Sequence, residues 1–166
     1  MTSPIQIWTS AAHHPAFRCG GWASLRLGQG PTTGHAGGAR NTTAARMALA
    51  GLVSALRDLP ARAGSAPHAP ITIHTTSPDL ASWTGFLASL SQPTRSGAAP
   101  EEDLDLWAQI STTSKGYQLS LARTPLLPDT PIAFAAAWAE LAMDKAKAAG
   151  PFTAPIPKPN LAKIRF

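Results

Sequence analysis

Ile5-Gln6-Ile7-Trp8-Thr9-Ser10 is the stretch on which the reading of this chain turns. Ile5, Ile7 and Thr9 alternate with the residues between them, which is the period-2 pattern of a strand, and β-branched side chains favour that conformation. Ser10 then falls at the C-terminal end of a strand, where mixed α/β folds usually present their chemistry. No Asp or Glu precedes Asp58, so this strand end carries no carboxylate.

Downstream, Ala11 to Arg18 reads as a loop holding His13 and His14, and Gly20 to Leu27 as a second strand entered through a glycine pair. Gln29-Gly30-Pro31 is turn chemistry. A short third strand fits part of Thr33 to Arg40, although Gly37-Gly38 weakens it. Asn41-Thr42-Thr43 offers N-cap residues, and Leu49, Leu52, Val53 and Leu56 follow at helical spacing, up to a stop at Pro60. Ala61 to Pro70 is a connector of small residues and Pro. Ile71 to Thr75 is a strand. Ser77-Pro78 opens a helix with Leu80, Trp83, Leu87 and Leu90 on one face. Ser91 to Pro100 is a loop, and Asp103 is placed to cap a short helix with Leu104, Trp107 and Ile110 inward. Tyr117 to Leu121 is the last strand. Thr130-Pro131 opens a long helix with Phe134, Trp138 and Leu141, ended by Gly150-Pro151. The order β-β-β-α-β-α-α-β-α implies an α/β fold: a five-stranded mixed sheet, its first three strands antiparallel, flanked by helices.

The chain has 166 residues, enough for one domain with a real core. Its single cysteine, Cys19, excludes an internal disulfide and points to a reducing, cytoplasmic setting. No signal-peptide pattern and no bilayer-length apolar run is present. The net charge of +5 arises from scarce acids, since charged residues make up only 14% of the chain. It permits a polyanionic partner without requiring one.

Several local patterns match one family in order. Thr9-Ser10-Ala11 and Gly20-Gly21-Trp22-Ala23 stand where the bacterial-type ribonuclease H family has Thr-Asp-Gly and Gly-Gly-Tyr/Trp-Gly. Thr42 to Leu49 stands where it has Thr-Asn-Asn-Arg-Met-Glu-Leu, and Thr75-Thr76-Ser77 where it has Thr-Asp-Ser. Asp105-Leu106-Trp107 matches its Asp-Leu-Trp, and Trp138 to Ala142 its Cys-Asp-Glu-Leu-Ala. The chain thus resembles that family over roughly residues 4–150. The reading is a ribonuclease H-like domain at 1–150 followed by a Pro-rich, basic tail, Pro151–Phe166.

The resemblance implies hydrolysis of RNA paired to DNA, with two magnesium ions about 3.5–4 Å apart. Magnesium requires anionic oxygen ligands. The family's four acids correspond here to Ser10, Ala48, Thr76 and Ala139. Asp79 and Glu140 lie near two of these positions, but the family has a glutamate at the Glu140 position besides its ligand, and one step along a helix turns a side chain by about 100°. The expectation is therefore an inactive homologue that binds no magnesium. A histidine cluster of His13, His14 and His74 is the other candidate for chemistry, with an exposed loop pair and one half-buried ring as the plainer interpretation.

For binding, Thr43 matches a family residue that helps hold a DNA phosphate, and Arg40, Arg18 and Arg46 are the nearby basic residues. Ala44 and Ala45 stand where the family has substrate-contacting asparagines. The resemblance thus leaves weak, charge-driven attraction to an RNA–DNA hybrid or duplex. A second reading is a protein-interaction scaffold that uses the former active-site face and the tail. A third, an active hybrid nuclease, is what the family name alone would suggest. Trp8 and Trp22 read as packing residues.

Overall fold

In the computed structural model, which describes residues 4–28, 30–60 and 67–166, the opening stretch extends into a ten-residue strand, β1 (Ile5–His14). It is followed by β2 (Cys19–Leu27), β3 (Thr33–Ala39), α1 (Ala44–Leu56), β4 (Ala69–Thr75), α2 (Pro78–Ala81) and α3 (Thr84–Ser89). Next come α4 (Leu104–Thr113), β5 (Tyr117–Arg123), α5 (Pro131–Ala149), β6 (Phe152–Pro155) and α6 (Lys158–Leu161). The strands form one mixed sheet in the order β5-β4-β1-β2-β3-β6. β1, β2 and β3 are successively antiparallel, as expected, while β4 runs parallel to both β1 and β5. Gln29 of the expected turn, and residues 61–66 of the expected connector, lie outside the described residues.

Alternation along β1 sorts its side chains between two layers. Ile5 and Ile7 pack with Leu49, Leu52 and Leu56 of α1, with Ile71 and Ile73 of β4, and with apolar residues of α2, α3 and α4. Trp8 faces the other way, into a second core with Ala23, Leu25 and the Ala135, Ala139 and Ala142 stripe of α5. That stripe lets α5 lie close on the sheet. A Cβ added to Gly21 would strike the Ala139 carbonyl and the Met143 amide, and one on Gly38 would meet the Ala142 carbonyl at 2.9 Å. Gly38, one of the two glycines that weakened β3 as a sequence signal, is therefore what admits the helix above it, while Gly37 makes room for the Trp22 ring.

Two expectations are corrected. The sheet has six strands, not five. β6 comes from the segment read as a tail and pairs antiparallel with β3 from His35–Pro155 to Gly38–Phe152. Beyond it, Ile156 and Leu161 are buried in the α5 core, and Phe166 packs its ring 5.0 Å from Trp8. Pairing with β3 covers an edge that would otherwise present unpaired backbone groups, so this segment is a strand of the sheet and not a free extension. The helix opened by Ser77-Pro78 is also broken in two. The Ser77 hydroxyl caps α2 through the Leu80 amide, as its sequence suggests, and α3 starts afresh after Trp83. Among the described residues, no helix is long and apolar enough to cross a membrane.

Candidate functional site

Ser10 lies on the α5 side of β1, opposite Ala23 of β2, and is 3% exposed. Thr76 follows directly on β4, the parallel neighbour of β1. The two hydroxyls meet at 3.0 Å, one donating to the other. The two strand-end positions singled out in the sequence therefore converge, and each satisfies the other.

The two helical positions are different. Ala139 is fully buried in the α5 core, its carbonyl over Gly21. Ala48 is 2% exposed and belongs to the α1 core on the opposite face of the sheet. Neither is a polar group, and each packs as part of a hydrophobic layer. Together the four positions offer two neutral hydroxyls and two methyl groups. This set supplies no anionic oxygen and does not fit a hard dication. Glu140 and Asp79 are exposed. Among the described residues, no three His, Cys, Asp or Glu side chains come together as a group that could hold a metal ion.

The three histidines do not form the cluster considered above. His13 and His14 are adjacent on β1 and so point to opposite faces. His13 Nε2 donates to the Thr42 carbonyl at 3.0 Å, while the His14 ring tilts against Phe17. His74 stacks on Trp8 with ring centroids 5.1 Å apart. Its Nε2 donates to Gln6 Oε1 at 3.2 Å, and its Nδ1 lies 3.4 Å from the Thr124 hydroxyl, which also reaches the Ala122 carbonyl at 3.4 Å. Burial pushes its pKa down, which favours the neutral ring. Trp8 and Trp22 are both buried, as packing residues should be.

Thr43, Arg46 and Arg40, singled out for nucleic acid, have structural employment that the sequence did not reveal. Thr43 is the N-cap of α1, accepting from the Arg46 amide at 3.1 Å. The Arg46 guanidinium donates to Asp103 Oδ1 at 2.9 Å and grips both oxygens of Asp105 at 3.0 and 2.7 Å. These bonds hold the Asp105 carboxyl down at about 2 and raise the Arg46 pKa. Asp103 stands at the start of α4 but in a left-handed conformation, φ 54°, with no side-chain bond to the helix. Its carboxylate serves Arg46 and not the expected cap. Arg40 donates to the Ala146 and Lys147 carbonyls and so caps the C-terminus of α5, where cations interact favourably with the helix dipole. Arg18, on the loop after β1, is exposed. On the same side, the Lys147 ammonium sits 3.6 Å over the ring of Phe17 from that loop. Arg18, Arg40 and Lys147 thus bring positive charge to the end of the sheet where β1 turns into β2.

No protein-family model matches the chain, and no curated protein matches it in sequence. Solved structures do match its fold. The N-terminal RNase H domain of rv2228c from Mycobacterium tuberculosis superposes with a TM-score of 0.58 at 15% identity, covering 88% of this chain and 96% of that one. LC9-RNase H1, described as a type 1 RNase H with the type 2 active-site motif, gives 0.61 at 15% identity over 98% of this chain and 81% of its own. LC11-RNase H1, solved in complex with an RNA/DNA hybrid, gives 0.58 at 18% identity over 86% and 98%. With the strand order and the placement of α5 already described, these likenesses show that the chain has the ribonuclease H-like fold.

Proposed function

We propose that this protein is a ribonuclease H-like pseudoenzyme that has lost two-metal hydrolysis and magnesium binding, and that contacts nucleic acid through charge alone. One observation carries the first half: at the four positions matching the family's acids, Ser10 and Thr76 bond to each other, and Ala48 and Ala139 are buried methyl groups in opposite cores. A two-metal mechanism needs carboxylates that neutralise the ions and fix their spacing. Neutral hydroxyls already paired with each other do neither.

The binding half rests on Arg18, Arg40 and Lys147 at the β1–β2 end, and on a net charge of +5. Arg46 contributes little free charge, because Asp103 and Asp105 neutralise it. An association of this kind is non-specific and salt-sensitive. Fluorescence anisotropy with a labelled RNA–DNA hybrid tests it. Affinity should fall steeply between low and moderate salt, and Arg18→Ala with Lys147→Ala should weaken it for hybrid and duplex DNA alike. No binding at low salt would remove this half and leave the first untouched. In the scaffold alternative the segment from Phe152 onward would offer its surface as part of the sheet, since it is bonded and packed into the domain.

A further inference from the structure

At the far end of α1 from Thr43 and Ala48, a pocket of about 250 Å³ opens between the helix and strands β2 and β3. Ser24, Arg26, Thr33, His35, Ser54 and Arg57 line it with Asp58 and Ala55, so its walls are almost wholly hydrogen-bonding groups. Ser24 and His35 are cross-strand partners and therefore share the α1 face. Ser24 is 1% exposed, and its Oγ has no hydrogen-bond partner. Native structures seldom leave such a group unpaired without a reason. The two guanidinium-bearing residues differ in employment. Arg26 uses one amino group on the Ala55 and Arg57 carbonyls at 2.9 and 2.7 Å. This occupies the carbonyls at the helix end that would otherwise repel an anion. The Arg57 side chain is exposed at the rim.

We infer that this pocket binds a phosphate group, held by Arg57 and Arg26 with Ser24, Ser54 and His35 as hydrogen-bond partners. Pockets for drug-sized ligands run to roughly 300–1,000 Å³, so this one suits a small anion or a phosphate ester with a short polar body. Arginine forks match phosphate geometry and give charge-assisted bonds. Asp58 is the opposing charge. It follows the C-cap of α1 at φ 62° and sets one carboxylate against two guanidiniums.

His35 supplies the readout. It faces Arg26 from β2 and Arg57 and Asp58 from the end of α1, while β6 brings only Pro155 opposite it. Burial, then Arg57 and Arg26, depress its pKa in the free protein. A bound anion offsets those cations, so the His35 pKa should rise on binding.

Proton NMR of the histidine rings, with His35 assigned by His35→Gln, tests the site using inorganic phosphate and ribose 5-phosphate as probes. A saturable shift of the His35 resonances is expected. Arg57→Gln, at an exposed position that leaves folding intact, should weaken it about tenfold, the loss of one charge-assisted bond. Asp58→Asn, which still tolerates the left-handed backbone, should tighten it. Tighter binding of the ester than of phosphate would identify an esterified ligand, and equal binding the free ion. No saturable shift with either probe, or a shift unchanged in Arg57→Gln, would overturn the assignment. Neither result bears on the hydroxyl pair at Ser10 and Thr76.

Discussion

Arg46 shows how a single side chain can look like one thing in the sequence and do another. It sits in a stretch resembling a substrate-binding motif, yet in the fold it ties α1 to α4 through Asp103 and Asp105. Arg46→Ala should destabilise the protein by about 0.5–1 kcal/mol at pH 7, the scale of a well-oriented but largely exposed pair. The Asp105 carboxyl is depressed from its ordinary value to about 2. Its contribution is therefore fully present above the unfolded-state pKa near 3.9 and fades as pH falls toward 2. Urea titrations of both proteins at pH 7 and pH 2 should show the difference at neutral pH shrinking in acid. A gap that is the same at both pH values would show that the carboxylates are not its source. None of this pairing was legible in the sequence, because 57 and 59 positions separate the partners and only the docking of α4 on α1 joins them. The Ser10–Thr76 pair was nearer to view: both positions could be placed at strand ends, though not their direct bond. Restoring the acids is not a local change either. Ala139 is wholly buried, and Ala139→Asp should cost about 3–5 kcal/mol, as an unpartnered buried charge does, measured as a drop in urea midpoint at unchanged slope.

Elements were read well where local chemistry dictates them and poorly where a neighbour does. Thr43, Ser77 and Thr130 cap their helices as the sequence suggests, because a hydroxyl three residues before an amide needs nothing else. β3 was doubtful on its glycines, but those glycines are required by what packs against them. A Cβ on Gly37 would come within 2.6 Å of the Trp22 ring. β6 was missed because Phe152–Pro155 has no strand signature of its own and takes its conformation from the β3 edge. Two outcomes follow for these elements. Gly21→Ala should lose about 1–3 kcal/mol through overpacking against the α5 backbone, with Gly30→Ala, which has open space but a positive φ, as a comparison for backbone strain alone. Leu161→Ala, in the segment read as a tail, should lose about 2–3 kcal/mol as a buried leucine does. If Leu161→Ala unfolds at the wild-type urea concentration, the terminal segment is not part of the cooperative domain.

For the molecule as a whole, the strand order, the close seating of α5 and the likeness to solved RNase H structures give the chain the ribonuclease H-like fold, and Ser10, Ala48, Thr76 and Ala139 are the positions at which the sequence resemblance leads one to expect acids. At those four positions the methyl groups join the cores and the two hydroxyls bond to each other. Nothing in that packing depends on a bound cation, so magnesium should leave the thermal midpoint unchanged, whereas a ligand specific for the native state would raise it. The most direct test incubates the purified protein with a labelled RNA–DNA hybrid in magnesium and, separately, in manganese, and follows the RNA strand on a denaturing gel. Loss of the magnesium ligands should leave the RNA intact in both, indistinguishable from buffer alone. Metal-dependent cleavage of the RNA strand that scales with protein concentration would contradict it.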